Sequence, residues 1–283
     1  MARRIRLDAE LVRRKMARSR EQAAELVAAG RVEVRGTVAT KVAAMVDPAD
    51  PLVVRGDDPI ADYVSRGGHK LAGALAAFAP AGLVVADRRC LDAGASTGGF
   101  TDVLLRAGAR EVVAVDVGYG QLAWPIRTDE RVHVHDRTNV RSLKPADIGG
   151  PADLIVADLS FISLRLVLDA LIACLDEGGD LVPMVKPQFE VGKERVGAGG
   201  VVRDPALRAD AVLDVAALAA ERGLGVAGVV TSPLPGPAGN VEFFLWLRRD
   251  AASVPEIEIR RVVEAGVVSN ADAETDRGGG VTS

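Results

Sequence analysis

Residues 91–105 read LDAGASTGGFTDVLL. An apolar run ends at Asp92 and Ala93, a Gly-rich turn occupies Gly94 to Gly99, and a helical segment is expected from about Phe100 to Ala107. Just beyond it, Glu111 to Val115 is a second apolar strand that ends in Asp116. Further strands are expected near Val132–His135, Leu154–Ala157, Leu181–Val185, Val226–Thr231 and Val241–Leu247, with helices near Leu164–Cys174 and Pro205–Arg222. The last helix has Asp204 as N-cap and Pro205 at its first position. Fully apolar strands separated by helices predict a parallel sheet covered on both faces. The final two strands are joined by Ser232-Pro-Leu-Pro-Gly-Pro-Ala-Gly239, which has no room for a crossover helix, so that pair is expected to be antiparallel.

A mostly parallel Rossmann-like α/β sheet with an antiparallel last strand is the architecture of class I methyltransferases rather than of nicotinamide dehydrogenases. The glycines agree, because Gly94-x-x-x-Gly98-Gly99 is not the G-x-G-x-x-G dinucleotide fingerprint. Asp116 lies 24 residues beyond Asp92, at a strand end where a carboxylate accepts bonds from ribose hydroxyls. A ribose acid without pyrophosphate glycines points to a nucleoside cofactor, S-adenosylmethionine. Its expected contacts are Asp92, Gly94, Ser96, Thr97, Gly98, Gly99, Phe100 and Asp116, with Asp136 at the adenine and Asp158 nearby. Trp124 and Phe100 are read as pocket wall or core.

The chain has 283 residues and 48% hydrophobic content, enough for one α/β domain and a smaller module. Two distant cysteines, Cys90 and Cys174, fit a reducing cytoplasm and neither a disulfide framework nor a metal site. His133 and His135 alternate on a strand with no third ligand nearby, so no metal is expected. The Arg-rich N-terminus lacks the apolar region of a signal peptide, and no run is long enough to span a bilayer. The formal charge of −4 is uneven. Residues 1–41 hold eleven Lys and Arg against five Asp and Glu, a net of +6, and the rest carries −10. A basic head on an acidic body suits a polyanionic partner.

That head, residues 1–60, reads as a separate unit. Asp8 is placed to cap a short helix, and Ser19 with Gln22 forms a capping box for a second that stops at Gly30. Arg31 to Gly36 is an alternating strand and turn. The stretch RLDAELVRRKMARSREQAAELVAAGRVEVRG (residues 6–36) resembles the RNA-binding domain named after ribosomal protein S-four. Arg3, Arg4, Arg6, Arg13, Arg14, Lys15, Arg18, Arg20 and Lys41 are its expected phosphate contacts. Arg66 in the linker (61–68) and Lys193 and Arg195 in a later Gly-rich loop are expected to help hold RNA.

Five motifs, LDAGASTGGFTDVLL, SRGGHKLAGAL, ADLSFISL, VKPQFEVGKERVGAGGVVRD and NVEFFLW, together resemble the TlyA family. The likeness runs to about residue 248. It implies an FtsJ-like catalytic domain over 69–248 that methylates cytidine 2′-oxygens of 16S and 23S ribosomal RNA on ribosomal subunits. It also implies a link to capreomycin sensitivity and a family history under the name hemolysin. It further implies a Lys-Asp-Lys-Glu set at Lys70, Asp158, Lys186 and Glu242. Asp158 and Lys186 independently sit at carboxyl ends of apolar strands, where open α/β sheets place ligands. A ribose hydroxyl is a weak acid, and a buried lysine beside a second cation is suited to take its proton. Lys186 is the candidate base, Lys70 the neighbouring cation, and Asp158 and Glu242 the groups that orient them. At Tyr63 the resemblance implies a Trp. The extension 249–283 is expected to hold a short helix over Pro255–Gly266 and to be disordered from Ser269. The competing readings are a non-enzymatic RNA-binding or assembly factor, which would lack the tetrad, and a nicotinamide oxidoreductase, which the glycine spacing disfavours. A direct membrane pore would need an amphipathic or spanning segment that the sequence does not show.

Overall fold

The computed structural model describes residues 4–14, 16–17, 19–28, 30–54, 63–236, 238–249 and 251–275, with no side chains for 267–275. The chain divides into two compact units, Met1–Ile60 and Ala61–Ser283.

The first unit contains β1 (Ile5–Arg6), α1 (Leu7–Arg13), α2 (Arg20–Ala28), β2 (Val32–Val34), β3 (Thr37–Val38), β4 (Met45–Val46) and β5 (Leu52–Val54). β1 pairs with β4, and β3-β2-β5 form an antiparallel sheet. Leu7 and Leu11 of α1 and Ala23 and Val27 of α2 pack on Val32 and Leu52 to make its core. Ser19 Oγ accepts from Gln22 N at 3.1 Å, as the capping spacing predicts. Asp8 does not cap α1 from outside. Arg6 holds that position and Asp8 lies within the first turn.

The second unit contains α3 (Arg66–Phe78), β6 (Arg89–Ala93), α4 (Gly99–Arg106), β7 (Glu111–Val115), α5 (Trp124–Arg127), β8 (Val132–His135), β9 (Ala152–Ala157), α6 (Leu168–Ala173), β10 (Leu175–Val185), α7 (Pro187–Glu190), α8 (Pro205–Glu221), β11 (Leu224–Thr231), β12 (Phe243–Arg249) and α9 (Glu256–Thr275). One seven-stranded sheet has the order β11-β12-β10-β9-β6-β7-β8. β8, β7, β6, β9 and β10 are parallel, and β12 is antiparallel to both of its neighbours. The short connection after β11 allows only that reversal, as its proline content predicts. Apolar clusters cover both faces. Leu91, Ile155 and Phe243 belong to one, and Cys90, Leu154 and Trp246 to the other. Alternate residues of each strand thus point to opposite layers.

The chain leaves β6 toward β7 on one side, and β9 lies on the other, so the carboxyl ends of β6 and β9 open a crevice where strand order reverses. Asp204 caps α8 by accepting from Ala206 N at 2.8 Å. The expected helix over 164–174 is broken, with a 3₁₀ turn at Leu164–Leu166 ahead of α6. The C-terminal helix is longer than its sequence indicates. α9 runs past Gly266 to Thr275, so the expected disorder from Ser269 does not hold over 269–275. Ile259 and Val263 of α9 are buried in the core cluster that includes β11 and α8, and that packing propagates the helix. The remainder of the predicted tail lies outside the described residues.

Candidate active site

Four elements bring the tetrad together. α3 carries Lys70, the end of β9 leads to Asp158, β10 leads to Lys186, and Glu242 immediately precedes β12. They meet as two ion pairs. Lys70 Nζ donates to Glu242 Oε2 at 2.5 Å, and both side chains are buried. Lys186 Nζ lies 2.5 Å from Asp158 Oδ1 and donates to Ser160 Oγ at 2.9 Å. Burying Lys70, Lys186 and Glu242 beside a half-buried Asp158 is tolerable because each cation meets an anion. Glu242 is packed closely, since a side chain at Gly236 would place its Cβ 2.6 Å from Glu242 Oε1.

Lys70 and Asp158 line one cavity together with Gly94, Ala95, Ser96 and Thr97 of the Gly-rich turn. Gly99, Phe100, Arg66 and Pro235 complete much of its wall. The turn needs glycine at its head. Gly94 has φ +90, and a Cβ there would come 2.5 Å from the carbonyl oxygen of Asp158. Gly98, also left-handed, starts α4. A second hollow continues from Gly94, Ser96 and Asp158 past Asp116 and Val117 to Asn139, Val140 and Leu159.

Asp116 is preset by backbone. Its Oδ2 accepts from Ser96 N at 2.8 Å and its Oδ1 from Gly118 N at 2.7 Å. Asp92, fully buried, accepts from Thr101 Oγ1 at 2.7 Å through Oδ2, and its Oδ1 has no hydrogen-bond partner. Burial first, and the nearby Asp158 second, push the Asp92 carboxyl up to about 7 despite the Thr101 bond.

Several side chains that the sequence reading passed over belong to this region. Ser160 shares Lys186 with Asp158. Phe161 is 92% exposed at φ +64 and lies 5.4 Å, centroid to centroid, from Phe189. Buried Glu190 accepts from Ser163 Oγ at 2.5 Å and Leu164 N at 2.7 Å, so it ties the loop after β9 to α7, the helix after Lys186. The motif strings ADLSFISL and VKPQFEVGKE contained all of them, but nothing local marks a contact between two loops.

One expectation is corrected. Trp124 is neither pocket wall nor core. It is 75% exposed on α5, because the buried face of that short helix is Ile126. Asp136 is held by Arg127 at 3.1 Å and is not among the lining residues, and the far hollow is closed by Asn139 and Val140 instead. His133 pairs with Glu111 at 2.9 Å. Tyr63 packs under the Arg106 guanidinium, 4.9 Å from its ring centroid, and edge-on to His69. Lys193 and Arg195 form an exposed 3₁₀ turn.

In the first unit, Arg6 and Arg20 both bind Asp8, and Arg13 and Arg14 both bind Glu10. Arg14 also donates to the carbonyls of Pro48 and Asp50, which makes it a brace within the unit. Arg4 and Lys41 are exposed, and Arg3, Lys15 and Arg18 lie outside the described residues. No helix among the described residues is long and apolar enough to cross a membrane.

The FtsJ-like methyltransferase family matches residues 63–249, and the S4 domain family matches residues 5–52. Over 248 residues the chain is 63% identical to the 16S/23S rRNA (cytidine-2'-O)-methyltransferase TlyA of Mycobacterium tuberculosis, covering 88% of this chain and 91% of that protein. It is 35% identical to Hemolysin A of Brachyspira hyodysenteriae, across 80% of this chain and 92% of the other. A solved hemolysin-named structure from Streptococcus thermophilus superposes with TM-score 0.76 at 38% identity, covering 97% of this chain and all of that one.

Proposed function

The chain belongs to the FtsJ-like methyltransferases and, within them, to the TlyA family, and from that premise we propose that it methylates the 2′-oxygen of cytidine in 16S and 23S ribosomal RNA. The observation that carries this reading is the convergence of Lys70, Asp158, Lys186 and Glu242 as two ion pairs beside the Gly94–Thr97 turn.

The residues present fit S-adenosylmethionine. Gly94 leaves a cradle that a single Cβ would fill, Asp116 is oriented for a ribose diol, and the orphaned Asp92 Oδ1 suits the ammonium of an amino-acid moiety. Ser96, Thr97, Gly99 and Phe100 shape the wall of that cavity, and Gly98 turns the backbone into α4 behind it. When bound, this cofactor supplies an electrophilic methyl group to the ribose oxygen.

The protein's part is alignment and proton removal. Once it has released its own proton to solvent, Lys186 takes the 2′-hydroxyl proton on Nζ, while Asp158 and Ser160 hold that nitrogen in place. Lys70, steadied by Glu242, meets the phosphate beside the target ribose. The exposed ring of Phe161 offers a stacking face for the unpaired target base. The N-terminal unit adds affinity through its arginines, which contact phosphates and read position rather than sequence.

Tritium transfer from labelled S-adenosylmethionine to unmodified 30S and 50S subunits tests the reading. Transfer to a 2′-oxygen in both subunits is expected. In Lys186→Ala the rate should fall by about 10²- to 10⁴-fold, the usual contribution of a general base. Full activity of that variant would remove Lys186 from the role, and transfer to one subunit only would narrow the substrate.

A further inference from the structure

The pairing of surface cations marks a second RNA contact that the sequence reading did not contain. Across most of the catalytic unit, cations are neutralised locally. Arg106, Arg110, Arg127, Arg131, Arg165 and Arg222 each meet a carboxylate within 4 Å. Among the described residues, the exposed cations of this unit that carry no ion pair fall into two runs. Lys193, Arg195 and Arg203 lie in the Gly-rich loop after α7, where Lys193 and Arg195 were already expected to hold RNA, and Arg137 to Lys144 follows β8.

The second run is built with some care. Arg137 has φ +55, a left-handed backbone that a β-carbon disfavours, and its N–H donates to Gly118 O at 2.8 Å. Its guanidinium lies 4.3 Å from the ring centroid of Tyr119, which is itself 67% exposed. A guanidinium held over an aromatic ring keeps donors for a further partner. Arg141, four residues on, is exposed, and its guanidinium has no ion pair among the described residues. The platform stands at the carboxyl ends of β7 and β8, the same end of the sheet as the tetrad, and Asn139 and Val140 between the two arginines wall the adenosine-side hollow.

We infer that Tyr119, Arg137 and Arg141 form a contact for the RNA phosphate backbone on the β8 flank of the catalytic site. RNA is the partner chosen because unpaired guanidiniums with an aromatic base are the combination that binds phosphate and unstacked bases. An acidic protein would satisfy the charge but would make no use of a stacking platform. The target strand is then held from both flanks of the tetrad, by this platform and by the Lys193–Arg203 loop. The inference rests on the methyltransferase reading for its substrate, but not for its binding test.

Binding of unmodified 30S and 50S subunits and methyl transfer to them are measured for the full chain and for Arg137→Ala, Arg141→Ala and the doubly substituted protein across a salt series. Each single substitution should weaken subunit binding by about 5- to 10-fold and reduce the slope of log affinity on log salt by about one. It should raise KM for the subunit while kcat and cofactor affinity hold. Tyr119→Leu should reproduce part of the Arg137 effect, and Tyr119→Phe should restore it. Unchanged subunit affinity and salt slope in the doubly substituted protein would overturn the inference. So would a loss of cofactor affinity equal to the loss of subunit affinity, since that would make the run a pocket support. If the unsubstituted protein binds subunits but transfers no methyl group, the proposed function fails while the binding series still decides this surface.

Discussion

Both units of the chain bury carboxylates, and Asp92 of the catalytic unit is treated in the opposite way to Asp8 and Glu10 of the N-terminal unit. In the N-terminal unit, Asp8 accepts from Arg6 and Arg20, and Glu10 from Arg13 and Arg14. Those guanidiniums, Arg6 first at Asp8 and Arg13 first at Glu10, hold both carboxyls well below the usual carboxylate range. In the catalytic unit, Asp92 has one oxygen on Thr101 and the other on nothing, and burial pushes it up to about 7. A carboxylate whose partners are all supplied by the fold serves the fold. A buried one with an oxygen that the fold leaves unpartnered has room for a donor or a cation. The difference separates carboxylates whose hydrogen bonds are all met within the fold from one that keeps an acceptor unused.

The largest expected break in this contrast is Asp92→Asn. Loss of a charged acceptor facing the cofactor's ammonium should weaken cofactor binding by about 10- to 100-fold, the equivalent of a hydrogen bond to a charged group. The melting temperature of the catalytic unit should hold or rise, because a costly buried charge is removed. Calorimetric titration and thermal unfolding read the two effects, and a fall in stability with unchanged affinity would return Asp92 to a structural role. Glu10→Gln should do the reverse. It leaves two arginines short of a partner, so the N-terminal unit should lose about 1–2 kcal/mol. Hydrogen exchange at Leu7 and Leu11 reports that loss, and cofactor affinity should not move.

The smallest effect is in pH. Asp8 and Glu10 titrate lower in the folded unit than in the unfolded chain. Their stabilisation is therefore complete above about pH 4 and drains as pH falls through the folded values. Asp92 titrates higher when folded, so between about pH 4 and 7 the folded state holds the extra proton. Across that window the stability of the catalytic unit should decline with rising pH while cofactor affinity increases. Cofactor affinity that is flat from pH 5.5 to 8 would separate Asp92 from the ligand.

Much of the architecture was legible because its signals are local. The bounds expected for β8 are those found, and β7 matches as well. The caps at Ser19 and Asp204 form the bonds their spacing predicts. Trp124 misled because a pocket-like residue type says nothing about which face of a short helix is buried. α9 outran its polar sequence because two apolar residues, Ile259 and Val263, dock in the core.

The sequence by itself determined the alternation of strands and helices, the antiparallel ending and the basic N-terminal unit, while the four residues of the tetrad came from the family resemblance. Each of these follows from periodicity, turn chemistry or a contiguous motif, in which cause and effect lie within a few residues. Only the tertiary structure decided that β12 inserts between β10 and β11, that Lys70 pairs with Glu242 and Lys186 with Asp158, and that Glu190 clamps the two catalytic loops. It alone left Asp92 with a vacant oxygen and Arg137 with no anion. A partner for a charge is chosen by distance in space. Lys70 and Glu242 are 172 residues apart along the chain, and no local pattern records which carboxylate will arrive within 2.5 Å.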